Sequence, residues 1–365
     1  MATKKTGLSR ELIIHPGETI ADVLGERNIS QVELAARTGV SPAYVSNVLA
    51  GKKDISAKFA MALEYALDVP KSFWLNLQAN YDAELLELNE ANTITEQERA
   101  IRDQLVEIVK HLRKRGKLPI REKKDDSILS LRKVLQISNL TNLGRIAPEG
   151  AFRMASSAPV NEYVLGAWIR MCQLYGEKST LTEEFNENRK NDLINELKTI
   201  MMQDQHNVQI RLREVLRSYG IDFMILRNFR GAPVQGYISR KKDGSFQIFM
   251  TIRGSWADIF WFSLFHELGH IFNGDVTKIS NFIDSGTDLE KEDAANRFAS
   301  DHLLDPQCFK EFIESRGYQS IDSICKFAVS QNVRPYIVIG RLQKMKYLEY
   351  NQYTSYRTRY KWADD

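Results

Sequence analysis

The chain has 365 residues, 43% hydrophobic and 27% charged, ordinary values for a soluble globular protein with apolar material for two or three domains. Lys+Arg of 50 against Asp+Glu of 47 leaves a net charge of +3, so no global field recruits nucleic acid or membrane and any such binding is local. The longest apolar run, Ile259–Phe265, is interrupted by Ser263; Lys4, Lys5, Arg10 and Glu11 precede no apolar signal stretch; Cys172, Cys308 and Cys325 are too few for a disulfide framework. Together these predict a cytoplasmic protein with no membrane partner.

Residues from about 11 to 80 read as short helices punctuated at Gly25, Gly39, Gly51 and Pro70. Within them Gln31–Leu49 reads as two helices meeting at Gly39, which supplies the left-handed conformation of a tight inter-helix turn. Leu34, Ala35, Val45 and Val48 form the inner faces, Val40 packs under the turn, and Ser41 is an N-cap followed by Pro42 at the first helical position. That leaves Pro42, Ala43, Tyr44, Ser46 and Asn47 facing outward, able to present hydrogen-bonding groups to base edges in a major groove. Gln31 at the first helix's start and Lys52 and Lys53 after the second suit phosphate contact, and Ser41 is counted with them among the DNA-binding residues. Residues 1–80 hold nine Lys/Arg against eight Asp/Glu, so a small helical bundle without a DNA partner is the competing reading.

His15-Pro16-Gly17-Glu18 leads into this unit, and Phe73-Trp74-Leu75-Asn76-Leu77-Gln78 with Tyr81-Asp82 follows it. Over about residues 11–85 this pattern resembles the HigA-type antitoxin branch of the Xre/Cro helix-turn-helix family. The resemblance implies a homodimer on a palindromic operator, often repressing its own operon, and sometimes a neighbouring toxin as partner.

Beyond it, the spacing of Leu85, Leu86 and Leu88, then Ile101, Leu105, Ile108, Val109 and Leu112, predicts a long charged helix over about 82–115, broken at Gly116 and Pro119. Lys110–Lys124 holds eight Lys/Arg against one Glu, a solvated linker face or else a phosphate-contacting patch. Residues 128–217 read helical. From Gly220 the period changes: Ile221–Leu226, Val234–Ser239 and Phe246–Ile252 read as strands, with a hairpin at Lys242-Asp243-Gly244. The expected fold is therefore mainly α with a small antiparallel sheet. It divides into a helix-turn-helix bundle over 1–85, a helical middle over 86–204, and an α+β domain with a C-terminal extension over 205–365.

The sharpest chemistry is His266-Glu267-Leu268-Gly269-His270. Residues four apart on a helix share a face about 6 Å apart along the axis, so both imidazoles can reach one ion, and Glu267 beside them can act as a general base. Trp261, Leu264, Phe265, Leu268 and Phe272 form the opposite, buried face, and Asn273-Gly274 is a stop signal. A catalytic zinc needs a third ligand. A second helix, opened by a capping box at Thr287-Asp288-Leu289-Glu290 and running to Leu304, is its expected source. There Glu292 is the expected third ligand, with Asp293 as rival and His302 behind it; Asn296, one turn on, would orient a ligand histidine. His302 and Arg253 are candidate oxyanion stabilisers, and the strand Phe246–Ile252 is either a core strand or the edge on which an extended substrate adds.

Phe260-Trp261-Phe262-Ser263-Leu264-Phe265 running into this motif, then Glu292, Ala295, Asn296, Phe298 and Ala299, resembles the ImmA/IrrE metallopeptidase family over roughly 205–305. Val333–Gln343 resembles the tail of its longer members. Asp301-His302 departs from the acidic or small residue that many members carry before Leu-Leu. The resemblance implies a zincin-like fold, Zn2+ or alternatively Mn2+, and limited proteolysis of a helix-turn-helix repressor. The expected function is a DNA-binding regulator with a zinc metallopeptidase domain that cleaves itself or another repressor in a stress, phage or toxin-antitoxin response. The alternative is an antitoxin that binds operator DNA and a toxin, its zincin domain a non-catalytic sensor or partner-binding module; a housekeeping peptidase is the third reading.

Overall fold

The computed structural model describes residues 13–90, 93–146, 159–203, 207–276, 282–283 and 289–362. They form two compact units, one of residues 1–99 with 123–129, the other of 100–122 with 130–365. The expected middle region is shared between them.

The first unit begins with α1 (Pro16–Glu26), α2 (Gln31–Thr38), α3 (Pro42–Leu49), α4 (Ala57–Leu67) and α5 (Lys71–Glu90). Each of the first four starts at a polar side chain that takes a backbone N–H otherwise without a partner: His15, Ser30, Ser41 and Ser56. Their inner faces share one core of Ile20, Leu34, Val45, Val48, Phe59, Leu63 and Trp74. Gly17 lets α1 close on α3, since a Cβ there would stand 2.1 Å from the carbonyl oxygen of Val48. Gln78 reaches back from α5, accepting from the Ile55 N–H (2.9 Å) and donating to Asp82 (2.9 Å). Trp74, Gln78 and Asp82 thus close the bundle.

The single helix expected over 82–115 is instead α5, α6 (Glu96–Gln104) and α7 (Val106–Lys114). The restart has a local cause: Thr95 Oγ1 accepts from the Glu98 N–H (3.2 Å) and Glu98 turns back toward the Thr95 N–H, a capping box that opens a new helix. Then follow α8 (Lys124–Leu135), α9 (Leu143–Ile146), α10 (Glu162–Glu177), α11 (Lys190–Met202) and α12 (Val208–Arg217).

In the second unit β1 (Ile221–Ile225), β2 (Gly236–Arg240), β3 (Phe246–Met250) and β4 (Phe282–Ile283) form a sheet of order β1-β3-β2-β4. β2 and β3 make the expected hairpin, Tyr237 opposite Phe249. The sheet is mixed rather than antiparallel, because β1 runs parallel to β3 with Ile221 opposite Phe246. Every residue of β3 is buried and it is paired on both sides, so substrate cannot add to it as a strand; the core reading of this strand holds.

Against the sheet lies α13 (Ala257–Phe272), followed by α14 (Leu289–Leu303), α15 (Pro306–Glu314), α16 (Ile321–Ser330) and α17 (Pro335–Lys344). α13 packs on α14, α17, β2 and β3, burying Trp261, Leu264, Phe265 and Leu268. Gly269 makes the α13–α14 approach close: a Cβ there would stand 3.0 Å from Ala295 Cα. The start of the capping box expected at 287–288 lies outside the described residues. All three cysteines are free, and no described helix is long and apolar enough to cross a membrane.

Candidate functional site

In the first unit, α2 and α3 meet at Gly39, whose φ of 70° is the left-handed conformation expected there. Leu34, Ala35, Val45 and Val48 are buried, whereas Gln31, Ser41, Pro42, Ala43, Ser46, Asn47, Lys52 and Lys53 are exposed. The Ser41 hydroxyl accepts from the Tyr44 N–H (3.2 Å), so this oxygen starts the helix. Tyr44 is only half exposed: its ring meets Phe59 edge-on at 5.0 Å, and Lys53 Nζ lies 4.3 Å above it. Tyr44 therefore belongs partly to the core as well as to the outward face.

In the second unit, α13 and α14 bring three donors together. The Nε2 atoms of His266 and His270 stand 3.0 Å apart. Glu292 Oε2 lies 3.3 Å from the first and Oε1 3.7 Å from the second. These ligand atoms all fall within 4.8 Å of one another. Asp293 is exposed and His302 lies outside the cluster, so among the expected third ligands it is Glu292 that joins it.

The outer nitrogens explain the orientation. His266 Nδ1 is 3.0 Å from Asn296 Oδ1, and His270 Nδ1 is 2.9 Å from Asp275 Oδ2. A carboxylate only accepts, so His270 carries its proton on Nδ1 and turns a lone pair on Nε2 toward the centre; Asn296 does the same for His266. Burial holds His270 below its ordinary pKa, partly opposed by Asp275. Two imidazole nitrogens and a carboxylate converging on one point could hold a cation, and two nitrogens with one oxygen are a donor set suited to Zn2+ or Mn2+. The residues fit the metal.

Asp275 was not anticipated. Its signal was the Asn273-Gly274 stop: Gly274 takes φ 76°, and the Asp275 N–H donates to the His270 carbonyl (3.0 Å), returning the side chain to the ring it orients. Glu267 is buried, its carboxylate against Gly236 of β2, where a Cβ would stand 1.9 Å from Oε1.

The cluster opens into a cavity of about 800 Å³ bounded by Glu267, Glu292 and Asn296, with Ile259, Phe262, Leu303, Ile337 and Met345 as apolar wall. Arg341 and Lys344 bring positive charge to it. Arg253 and His302, the candidate oxyanion stabilisers, stand elsewhere. Arg253 donates to the Pro233 carbonyl (3.0 Å), and His302 bonds the Phe298 carbonyl (2.9 Å) with its ring stacked on Phe298.

Residues 20–74 match the helix-turn-helix family. Over 69 residues the chain is 41% identical to virulence-associated protein A′ of Dichelobacter nodosus, covering 19% of this chain and 60% of that one. Over 63 residues it is 33% identical to the uncharacterized HTH-type transcriptional regulator YddM of Escherichia coli, covering 17% of this chain and 67% of that one. Through these N-terminal residues the chain belongs to the helix-turn-helix family. It spans 60% of the first relative's length, so the likeness concerns this unit. Two solved structures are also similar. A HigA-family addiction module antidote protein from Coxiella burnetii is 32% identical, with 22% of this chain and 95% of that one covered and a TM-score of 0.21. Antitoxin GraA is 33% identical, with 23% and 95% covered and a TM-score of 0.21.

Proposed function

We propose that this chain is a DNA-binding transcriptional regulator whose second unit is a metal-dependent endopeptidase acting on itself or on another repressor. For DNA, the carrying observation is the outward face of α3, with Ser46 and Asn47 exposed and Lys52 and Lys53 beyond its end. The operator is expected to be palindromic and read by a homodimer. For cleavage, the convergence of His266, His270 and Glu292 beside Glu267 carries the reading.

His266, His270 and Glu292 would hold the metal, zinc first and manganese as alternative. When bound, it supplies Lewis acidity toward a peptide carbonyl and water. The chain's own residues do the rest. Glu267 takes a proton from the attacking water at its carboxylate and returns it to the leaving amine. Asn296 and Asp275 hold the two rings so that neither turns a protonated nitrogen inward. Ile259, Phe262, Leu303 and Ile337 select an apolar side chain beside the scissile bond and exclude water from it.

The antitoxin reading has its own observation: Val32, Met61, Tyr65, Phe73 and Leu75 are large apolar side chains exposed on the first unit, suited to a protein partner such as a toxin.

The first experiment is metal content per chain in wild type and His270→Ala, followed by cleavage of co-expressed helix-turn-helix repressors by wild type and Glu267→Gln. About one metal per chain, lost with His270, and proteolysis lost with Glu267 are expected. No metal after soaking would sink the peptidase. Metal without cleavage, together with toxin neutralisation by Glu267→Gln, would favour the antitoxin.

A further inference from the structure

The second unit contains another cavity, of about 620 Å³, that shares no lining residue with the metal cavity. Four segments build it: α7, the loop after β1, the turn after β3, and the C-terminal residues 360–362. Among the described residues that line it, Lys110, Lys114, Arg227 and Lys361 are cationic and Glu107 is the carboxylate, its Oε2 accepting the Arg230 backbone N–H (3.0 Å). Cations gathered in a concave site repel one another and attract a multiply charged anion.

The remaining wall is aromatic. Phe229 is buried there with the His111 ring edge-on at 5.6 Å, and Tyr360 and Trp362 are half-buried. The Arg227 guanidinium lies 5.6 Å from the Trp362 ring centre. Burial and the charges of Arg115, Arg227 and Lys114 hold His111 below its ordinary pKa, in keeping with a positive local field. Cations alone would suit inorganic phosphate; flat aromatic faces beside them suit a planar base.

We propose that this cavity binds a nucleoside di- or triphosphate, its phosphates on Lys110, Lys114, Arg227 and Lys361 and its base against Trp362 and Tyr360. The volume lies in the ordinary range for a small-molecule site. Walls converging from four segments favour a mononucleotide over a polynucleotide, which needs a continuous track for its backbone.

The position gives the ligand a route to the helix carrying His266 and His270. The Tyr360 N–H donates to the Ser255 carbonyl (2.7 Å), and the Tyr360 hydroxyl accepts from Trp261 Nε1 (2.9 Å) on α13. One turn of chain earlier, Arg357 pairs with Asp258 of α13 (2.8 Å), and both line the metal cavity. Residues 357–362 thus run from one cavity wall to the other. The binding site itself does not depend on the metal centre being active.

The test uses the full chain, titrated calorimetrically and by tryptophan fluorescence with ATP, ADP, GTP, inorganic pyrophosphate and a short single-stranded oligothymidylate. Saturable binding of at least one nucleotide, one per chain, is expected. Lys110→Ala with Lys361→Ala should weaken it by roughly tenfold or more. Trp362→Phe should remove the fluorescence change while binding persists, and His270→Ala should bind as wild type does. Four results would overturn the proposal: no saturable nucleotide binding, pyrophosphate binding as tightly as nucleotide, oligothymidylate displacing nucleotide at lower phosphate concentration, or nucleotide affinity unchanged by the lysine substitutions.

Discussion

His270 donates its Nδ1–H to Asp275, and that one bond decides which nitrogen faces Glu292. Asp275→Ala should therefore keep the fold and the three ligands yet weaken metal binding by roughly 10–100-fold, read by competition with a chromogenic chelator. Unchanged affinity would mean that packing alone orients the ring. A similar division of roles falls on α3. Asn47 is exposed and touches nothing that the core needs, so Asn47→Ala should weaken specific operator binding by about 1–3 kcal/mol without moving the melting temperature. Tyr44 packs on Phe59 under Lys53, so Tyr44→Ala should also lower the stability of its unit by about 1–2 kcal/mol. Tyr44→Phe separates the effects: it keeps the packing and removes only the hydroxyl.

At the scale of elements, three glycines set how closely segments approach. Gly17 lets α1 meet the end of α3, Gly269 lets α13 and α14 close, and Gly236 makes room for the Glu267 carboxylate. Gly236→Ala should displace Glu267 while leaving the metal ligands in place. Normal metal content with cleavage reduced about as far as in Glu267→Gln is the expected result; full cleavage would mean the carboxylate has another place to stand. These helices were legible because their patterns are local: α13 declares itself by five apolar residues at helical spacing behind two histidines. The break between α5 and α6 was harder to see, because the apolar period carries across it and only Thr95 with Glu98 marks the restart. The pairing of β1 with β3 was not visible, since strand direction depends on a partner distant in the chain.

Among the described residues one core lies around Trp74 in the first unit and another around Trp261 and Phe265 in the second. Differential scanning calorimetry should resolve two transitions, and removing metal with a chelator should lower only the second, because a ligand stabilises the unit that binds it. Acid should lower the same transition. Burial holds His111 and His302, both in the second unit, below their ordinary value of 6.5. The unfolded chain therefore takes up protons first, and the stability present above pH 6.5 is lost as pH falls below it. His111→Gln with His302→Gln should flatten that dependence.

The order of amino acids alone determined the helix-turn-helix, its left-handed Gly39, the two histidines on one helical face and the glutamate between them. Each rests on contacts within a few residues, where backbone geometry leaves little choice. Only the tertiary structure decided that Glu292 rather than Asp293 turns inward, that Asp275 folds back to orient His270, and that Arg253 and His302 spend their bonds on main-chain carbonyls. It also joined α7, the loop after β1 and the C-terminal residues into one basic cavity. Such placements depend on which surfaces remain after cores have packed. That outcome belongs to the sum of many distant contacts, and no short stretch of sequence carries it.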